Sequence, residues 1–225
     1  MENKKKKSGT VSIIIILGLI LLGVGVYLLC TNYAKGNYFT AIIGLVLAVV
    51  GAFLDIYIIV TYNKFVRYKN KVKESLSLVD IQLKQRFDLI PNLVNTVKGY
   101  AKHEKEVLAE ITALRNRAVE TTDEKEKIEL GNQMLPKLRQ IIMVAENYPD
   151  LKANTLFKSL MEELVLVEDK IVAARRFYDS NVNLYNTSIE VWPANIIANI
   201  FAFEKVELFR IEAGEKLNIN IDFKN

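Results

Sequence analysis

Two apolar runs near the start, Val11–Thr31 and Phe39–Val60, constrain this chain more than any other feature. At about 1.5 Å per helical residue, each is long enough to cross a hydrocarbon core of about 30 Å. The stretch between them, Thr31–Tyr38, has room only for a tight turn, so the runs are expected to form a two-span hairpin. The first run is longer than the core of a cleaved signal and no small-x-small site closes it. Cys30 invites a lipidation reading, but Leu29 precedes it where such a signal needs a small residue. A single cysteine also forms no internal disulfide.

Charge orients the hairpin. Lys4–Lys7 precede the first run, and Lys64, Arg67, Lys69, Lys71 and Lys73 follow the second, against Lys35 alone between them. The positive-inside bias puts both flanks, and both termini, in the cytoplasm. The net charge is only +4 and the mean hydropathy is +0.14. A membrane segment plus one domain fits these values better than two soluble domains, and nothing marks the basic face that nucleic acid would require. In the second span Gly44, Ala48 and Ala52 repeat every four residues beside Gly51. That spacing lets another helix approach closely, whether the first span with Gly18, Gly23 and Gly25 or a second copy of the chain. Asp55 is the only ionisable residue in either run, and it stays open whether it handles ions or protons or simply reaches interfacial water.

Beyond residue 61 the pattern becomes that of soluble helices. Phe65, Val72, Leu76, Val79 and Leu83 keep helical spacing, and Ile81, Leu83, Phe87, Ile90, Val94 and Val97 continue it. Asp88-Leu-Ile-Pro91 predicts either a new helix, capped by Asp88 with Pro91 in its first turn, or one helix kinked at Pro91; the new helix, about Leu89–Val119, is preferred. Thr121-Thr-Asp-Glu124 reads as a turn and capping box for a third helix that Pro136 should bend, or whose start it should displace, and that Pro149 should end. Asn154 caps a fourth, in which Phe157, Leu160, Leu164, Val167, Ile171, Ala174, Tyr178, Asn181, Tyr185, Ser188 and Trp192 take heptad positions. Antiparallel packing of these helices predicts an all-α fold: a basic flank (1–10), a transmembrane hairpin (11–61), a cytoplasmic four-helix bundle (62–192) and an apolar tail segment (193–225).

The tail supports two further expectations. Val206–Ile211 and Leu217–Phe223 could pair as a short β-hairpin. Alternating helix directions would return Trp192 and Pro193–Phe203 to the inner membrane surface. There Ile196, Ile197, Ile200, Phe201 and Phe203 would either insert shallowly or fold back to cap the bundle.

A family resemblance accompanies these patterns. Tyr62-Asn63, Asp80-Ile-Gln-Leu-Lys-Gln-Arg86, Asp88-Leu-Ile-Pro-Asn-Leu-Val94, Thr96-Val-Lys-Gly-Tyr100 and His103-Glu104 resemble the signature of the LemA family of bacterial membrane proteins. Tyr148-Pro-Asp-Leu-Lys-Ala-Asn154, Ala173-Ala-Arg-Arg-Phe-Tyr178, Tyr185-Asn186 and Pro193-Ala-Asn195 continue the likeness, which covers about residues 62–212. The resemblance implies a helical bundle anchored in a bacterial cell membrane, with no assigned reaction, and a zinc membrane protease as a protein partner. Such relatives usually carry one span, so the two runs depart from the pattern.

The search for chemistry assigns no catalytic, cofactor-binding or metal-binding residue. His103 is the only histidine, and His103-Glu104-Lys-Glu-Val107 lacks the second histidine of a zinc-binding helix. Glu162, Glu163, Glu168 and Asp169 lack the Glu-x-x-His pairs of a di-metal bundle and read as a solvated face beside Lys170 and Arg175. Arg175-Arg176 near Tyr178 could bind an anionic partner, but at bundle spacing a structural ion pair is preferred. Three functions remain: a noncatalytic scaffold or adaptor binding a protein or the membrane surface, a metal-dependent or hydrolytic enzyme, and a subunit of an oligomeric channel.

Overall fold

The computed structural model describes residues 2–100 and 104–209, with side chains from Gly18 onward. Every regular element among the described residues is a helix: α1 (Glu2–Ala34), α2 (Tyr38–Lys98), α3 (Lys105–Glu120), α4 (Glu124–Glu146), α5 (Pro149–Ala153), α6 (Thr155–Glu190) and α7 (Ala194–Ile200). Of these, α2 contains a window long and apolar enough to cross a membrane, and Gly18–Ala34 is a shorter apolar stretch. The chain divides into two compact units, one holding Met1–Val72 with Asn181–Glu207, the other Lys73–Ser180 with the chain from Leu208.

In the first unit α1 and α2 lie side by side in opposite directions. The turn between them is made by Gly36, whose φ of +75° suits glycine. Its N–H bonds to the Tyr33 carbonyl at 3.1 Å and that of Asn37 to Asn32 at 2.9 Å, which closes the end of α1. Contact is backbone to backbone: a Cβ added to Gly25 would stand 2.5 Å from Ala48 N and 2.6 Å from Gly44 O. One added to Gly51 would meet Leu22 N at 3.0 Å, whereas Gly23 faces open space. Ala41, Gly44, Ala48, Gly51 and Asp55 therefore form the seam on α2, at alternating steps of three and four.

The second unit is built on the C-terminal part of α2. The expected break at Phe87–Pro91 does not occur: Pro91 lies inside α2, and the chain turns only after Lys98. A proline here cannot donate to the Phe87 carbonyl four residues back. Arg115 of α3 takes that role, its Nε donating to Phe87 O at 3.3 Å, so the helix continues at little cost. The second helix accordingly starts at Lys105 and not near Leu89. Along α3 and α4, Arg117 bonds to Glu126 and Lys137 pairs with Glu110, so the two run antiparallel. Lys127 reaches Asp80 at 2.8 Å and Gly131 accepts from Arg86, so α4 runs with α2. Asn154 donates to Tyr100 while Glu168 pairs with Arg86, so α6 runs against it.

Helix ends follow local chemistry with small shifts. The N-cap of α4 is Asp123, whose side chain accepts from Lys125 N at 2.9 Å, two residues after the Thr121 start of the expected box. Thr121 instead donates to Glu126 at 2.6 Å. Pro136 lies within α4, which ends at Glu146; Pro149 then opens α5 at its first turn. Asn154 caps α6 as expected, accepting from Phe157 N at 3.0 Å.

The core follows the stripes closely. Phe87, Ile90, Val94 and Val97 are buried, together with Leu93, which the stripe omits; Ile81 is exposed. On α6, Phe157, Leu160, Leu164, Val167, Ile171, Tyr178, Tyr185 and Ser188 are buried; the helix ends at Glu190, so Trp192, expected at its last heptad position, lies beyond it and is exposed. Met161, Val182 and Ile189 join the core beside them. From Phe201 to Phe209 the chain has no regular structure; the strand expected at 217–223, and Ile211, lie outside the described residues, as does His103.

Candidate functional site

Three side-chain arrangements stand out, and none has the form of a reaction centre. In the second unit Arg86, 1% exposed, forms an ion pair with Glu168 of α6 and donates from Nη1 to the Gly131 carbonyl at 3.0 Å. Gly131 leaves the necessary room, since a Cβ there would meet Leu83 Cδ2 at 2.9 Å. Glu168 is thus a correction to the solvated-face reading, while Glu162, Glu163 and Asp169 are exposed. Arg175 donates to Asn132 of α4 and lies 5.9 Å from the Phe209 ring. That ring stacks on Tyr178 at 4.5 Å, and Phe209 N donates to Asp179 at 2.9 Å. Burial raises the Asp179 carboxyl above its ordinary value, against the opposing pull of that hydrogen bond and of Arg175.

A second arrangement ties the helix ends of the same unit. The Tyr148 hydroxyl donates to both Glu104 oxygens at 3.2 Å, and the Asn154 amide donates to Tyr100 OH at 2.9 Å. Desolvation and the adjacent Glu104 carboxylate raise the Tyr148 phenol. Residues from three separated signature segments therefore meet here, Tyr100 and Glu104 against the α4–α6 connection. Beside them Lys98, Lys105, Leu108, Ala109, Thr112, Ala113 and Asn116 line an open groove of about 680 Å³ along α3.

The third arrangement, in the first unit, is an aromatic clasp. Pro193 starts α7, and the helix ends with Phe203 N bonded to Ala198 O at 2.9 Å and Ala202 N to Asn199 O at 3.3 Å. Ala202 takes the left-handed conformation that this ending requires, with φ of +56°. The turn delivers Phe201 and Phe203 onto Tyr62 at 4.7 and 5.8 Å, and Phe203 onto Phe65 at 5.2 Å. The Lys69 ammonium lies 6.0 Å from the Phe203 ring. Chain 204–206 is then fixed along α6: Tyr185 OH donates to Glu204 O at 2.9 Å, and Asn186 exchanges two hydrogen bonds with the Val206 backbone. Burial, then the charge of Glu204, raises the Tyr185 phenol. Ile197 is buried and α7 also touches α1, so this part of the segment packs within the first unit. Trp192 and Ile196 remain exposed.

Asp55 lies against α1, its carboxylate close to where a Cβ of Gly18 would be, and its Oδ1 is buried without a hydrogen-bond partner. Cys30 is exposed near the end of α1. Among the described residues no group of three or more His, Cys, Asp or Glu side chains is arranged to hold a metal ion. Sequence reading missed Arg86 as a buried charge and Arg115 as a carbonyl donor. The first was signalled, because Arg86 falls on the same stripe as Val79, Leu83, Ile90, Leu93 and Val97.

Among known proteins, the sequence profile of the LemA family matches residues 75–223 of this chain. Protein LemA of Metamycoplasma hominis is 26% identical over 159 residues, which cover 70% of this chain and 73% of that protein. Magnetosome protein MamQ 2 of Paramagnetospirillum magneticum is 24% identical over 179 residues, 68% of this chain and just under two thirds (66%) of the relative's own length. Magnetosome protein MamQ of Magnetospirillum gryphiswaldense is 22% identical over 178 residues, 68% of this chain and 65% of the relative.

Proposed function

This chain belongs to the LemA family, and from that membership we propose that it is a noncatalytic membrane-anchored scaffold or adaptor. In this reading α1 and the start of α2 form a two-span hairpin with both chain ends in the cytoplasm. The remainder of α2 packs with α3, α4 and α6 as an antiparallel four-helix bundle that presents its outer faces to a partner protein. The observation that carries the proposal is the continuity of α2. One 61-residue helix holds both the apolar run and the buried stripe of the second unit. The apolar run and the face that packs in the bundle are thus one uninterrupted element, which suits a membrane-anchored scaffold.

The test is co-purification of the full chain from gently solubilised membranes, with mass spectrometry of what accompanies it. A reproducible membrane-protein partner is expected, and the family resemblance supplies a zinc membrane protease as the first candidate. Recovery of the chain with no stoichiometric partner from several detergents would sink the scaffold reading. Topology is tested separately by cysteine labelling in a Cys30→Ser background. Asn37→Cys in the α1–α2 turn should react with an impermeant maleimide added to intact cells, and Lys205→Cys should not.

A further inference from the structure

The clasp leaves one apolar edge uncovered, and its place in the chain says what covers it. Trp192 is 80% exposed, Ile196 52% and Val191 48%, although Ile197, four residues before Phe201, is buried. A large apolar cluster of this kind on a folded surface marks an interaction site. Its level is set by Tyr62 and Phe65, on which Phe201 and Phe203 rest. Those rings follow Val60, the last residue of the apolar run, by two and five residues, or roughly 3–8 Å of helix rise. That is the depth of the headgroup region, where a Trp ring buries its apolar part and keeps its N–H wet. The surrounding charge agrees: Lys64, Arg67, Lys69 and Lys71 are exposed on the same turns of α2. Polybasic segments at this position attract anionic lipid.

We propose that Val191, Trp192 and Ile196 form a foot that enters the cytoplasmic leaflet of an anionic bilayer. Ile197, Phe201 and Phe203 do not insert; they clamp the foot to α2 and hold it at the membrane surface. The chain then meets the membrane at two places, the start of α2 and the turn after α6. This proposal rests on the membrane-anchored reading above, and the experiment separates the two.

The full chain is reconstituted in vesicles of phosphatidylcholine and phosphatidylglycerol, with Trp192 as the only tryptophan. Lipids brominated near the headgroup should remove most of its emission, lipids brominated near the chain ends should remove little, and aqueous acrylamide should be excluded. Ile196→Glu, on an exposed position outside the clasp, should restore acrylamide access and weaken bromolipid quenching while far-UV circular dichroism stays unchanged. Vesicle flotation is run on the same samples. If the chain floats but Trp192 is open to acrylamide and untouched by bromolipid, the foot is overturned and the anchor stands. If Trp192 is shielded from both quenchers, a second protein surface covers it and the foot is likewise overturned. If the chain does not float, the anchored reading fails with it.

Discussion

Removing Glu168 alone should be among the most damaging single changes in the second unit. Glu168→Leu removes the carboxylate that pairs with Arg86, which is 1% exposed. A guanidinium cannot shed its proton to escape that situation. Breaking a buried pair from one side costs about 3–5 kcal/mol. At about 4 °C per kcal/mol for a unit of this size, the melting temperature should fall by roughly 12–20 °C. Arg86→Met should cost less near neutral pH, because Glu168 can take up a proton where Arg86 cannot lose one. It still strips the Gly131 carbonyl of its donor, a loss of about 1–3 kcal/mol if the oxygen stays dry. The double variant Arg86→Met, Glu168→Leu removes both charges and keeps most of the volume, so it should recover to within about 2 kcal/mol of the parent. The assay is thermal unfolding of the full chain in detergent micelles, followed by far-UV circular dichroism, for the parent, both singles and the double. The reasoning is refuted if Glu168→Leu shifts the midpoint by less than the equivalent of about 1 kcal/mol, or if the double variant is as unstable as the worse single.

Four further outcomes are expected. Arg115→Met should destabilise by about 1–2 kcal/mol in the parent but by less than half that when Pro91→Ala supplies the missing N–H, a double-mutant cycle read by denaturant unfolding. Gly25→Val should force α1 from α2 at a cost of about 1–3 kcal/mol while Gly23→Ala is silent, as measured by the detergent stability of the helix pair. Ala202→Gly should stabilise by about 0.5–1 kcal/mol, because glycine adopts the left-handed conformation without the Cβ strain; a lower melting temperature would contradict the C-terminal motif of α7. The raised Tyr185 phenol keeps its proton longer folded than unfolded, so its contribution is full below about pH 10 and lost as pH rises through the native value. Tyr185→Phe should cost about 1 kcal/mol at neutral pH and flatten the alkaline fall in stability, seen in denaturant melts above pH 9.

How far the sequence can be read depends on whether a signal is local. The α1–α2 turn, the cap at Asn154 and most heptad positions of α6 up to Ser188 are decided within a few residues, and there the structure agrees with the reading. Pro91 is the contrary case. Whether a proline ends a helix depends on what becomes of the carbonyl four residues earlier, and that carbonyl is answered by Arg115, 28 residues later in the chain. No window around Pro91 contains the information. The consequence is limited: the turn lies after Lys98 instead of at Phe87–Pro91, and the order of helix directions is unchanged. The buried charges are more legible than the solvated-face reading allows. Arg86 lies seven residues after Val79 and seven before Leu93; Glu168 lies seven after Met161 and four after Leu164. Both therefore sit on core faces, and only the general preference of charge for the surface groups Glu168 with Glu162, Glu163 and Asp169.

The tail shows how geometry divides a segment that composition leaves uniform. By composition Ile196, Ile197, Ile200, Phe201 and Phe203 are equivalent, so the sequence offers a choice between lipid and protein for all of them together. The division among them is made by geometry. A helix of seven residues presents Ile196 and Ile197 to different sides, and it ends in a left-handed residue that reverses the chain. That reversal sends Phe203 back to Tyr62 and Phe65, where the rings bury one another. It leaves Trp192 and Ile196, four apart, on the uncovered side. Ala202 is no signal for such a turn, since glycine or asparagine would be expected there. The turn is held instead by the residues after it: Asn186 takes both backbone groups of Val206, and Tyr185 takes the carbonyl of Glu204. Tyr185-Asn186 therefore acts as a latch for the chain beyond α7. A role of that kind reads from sequence only as two polar residues on a long amphipathic helix.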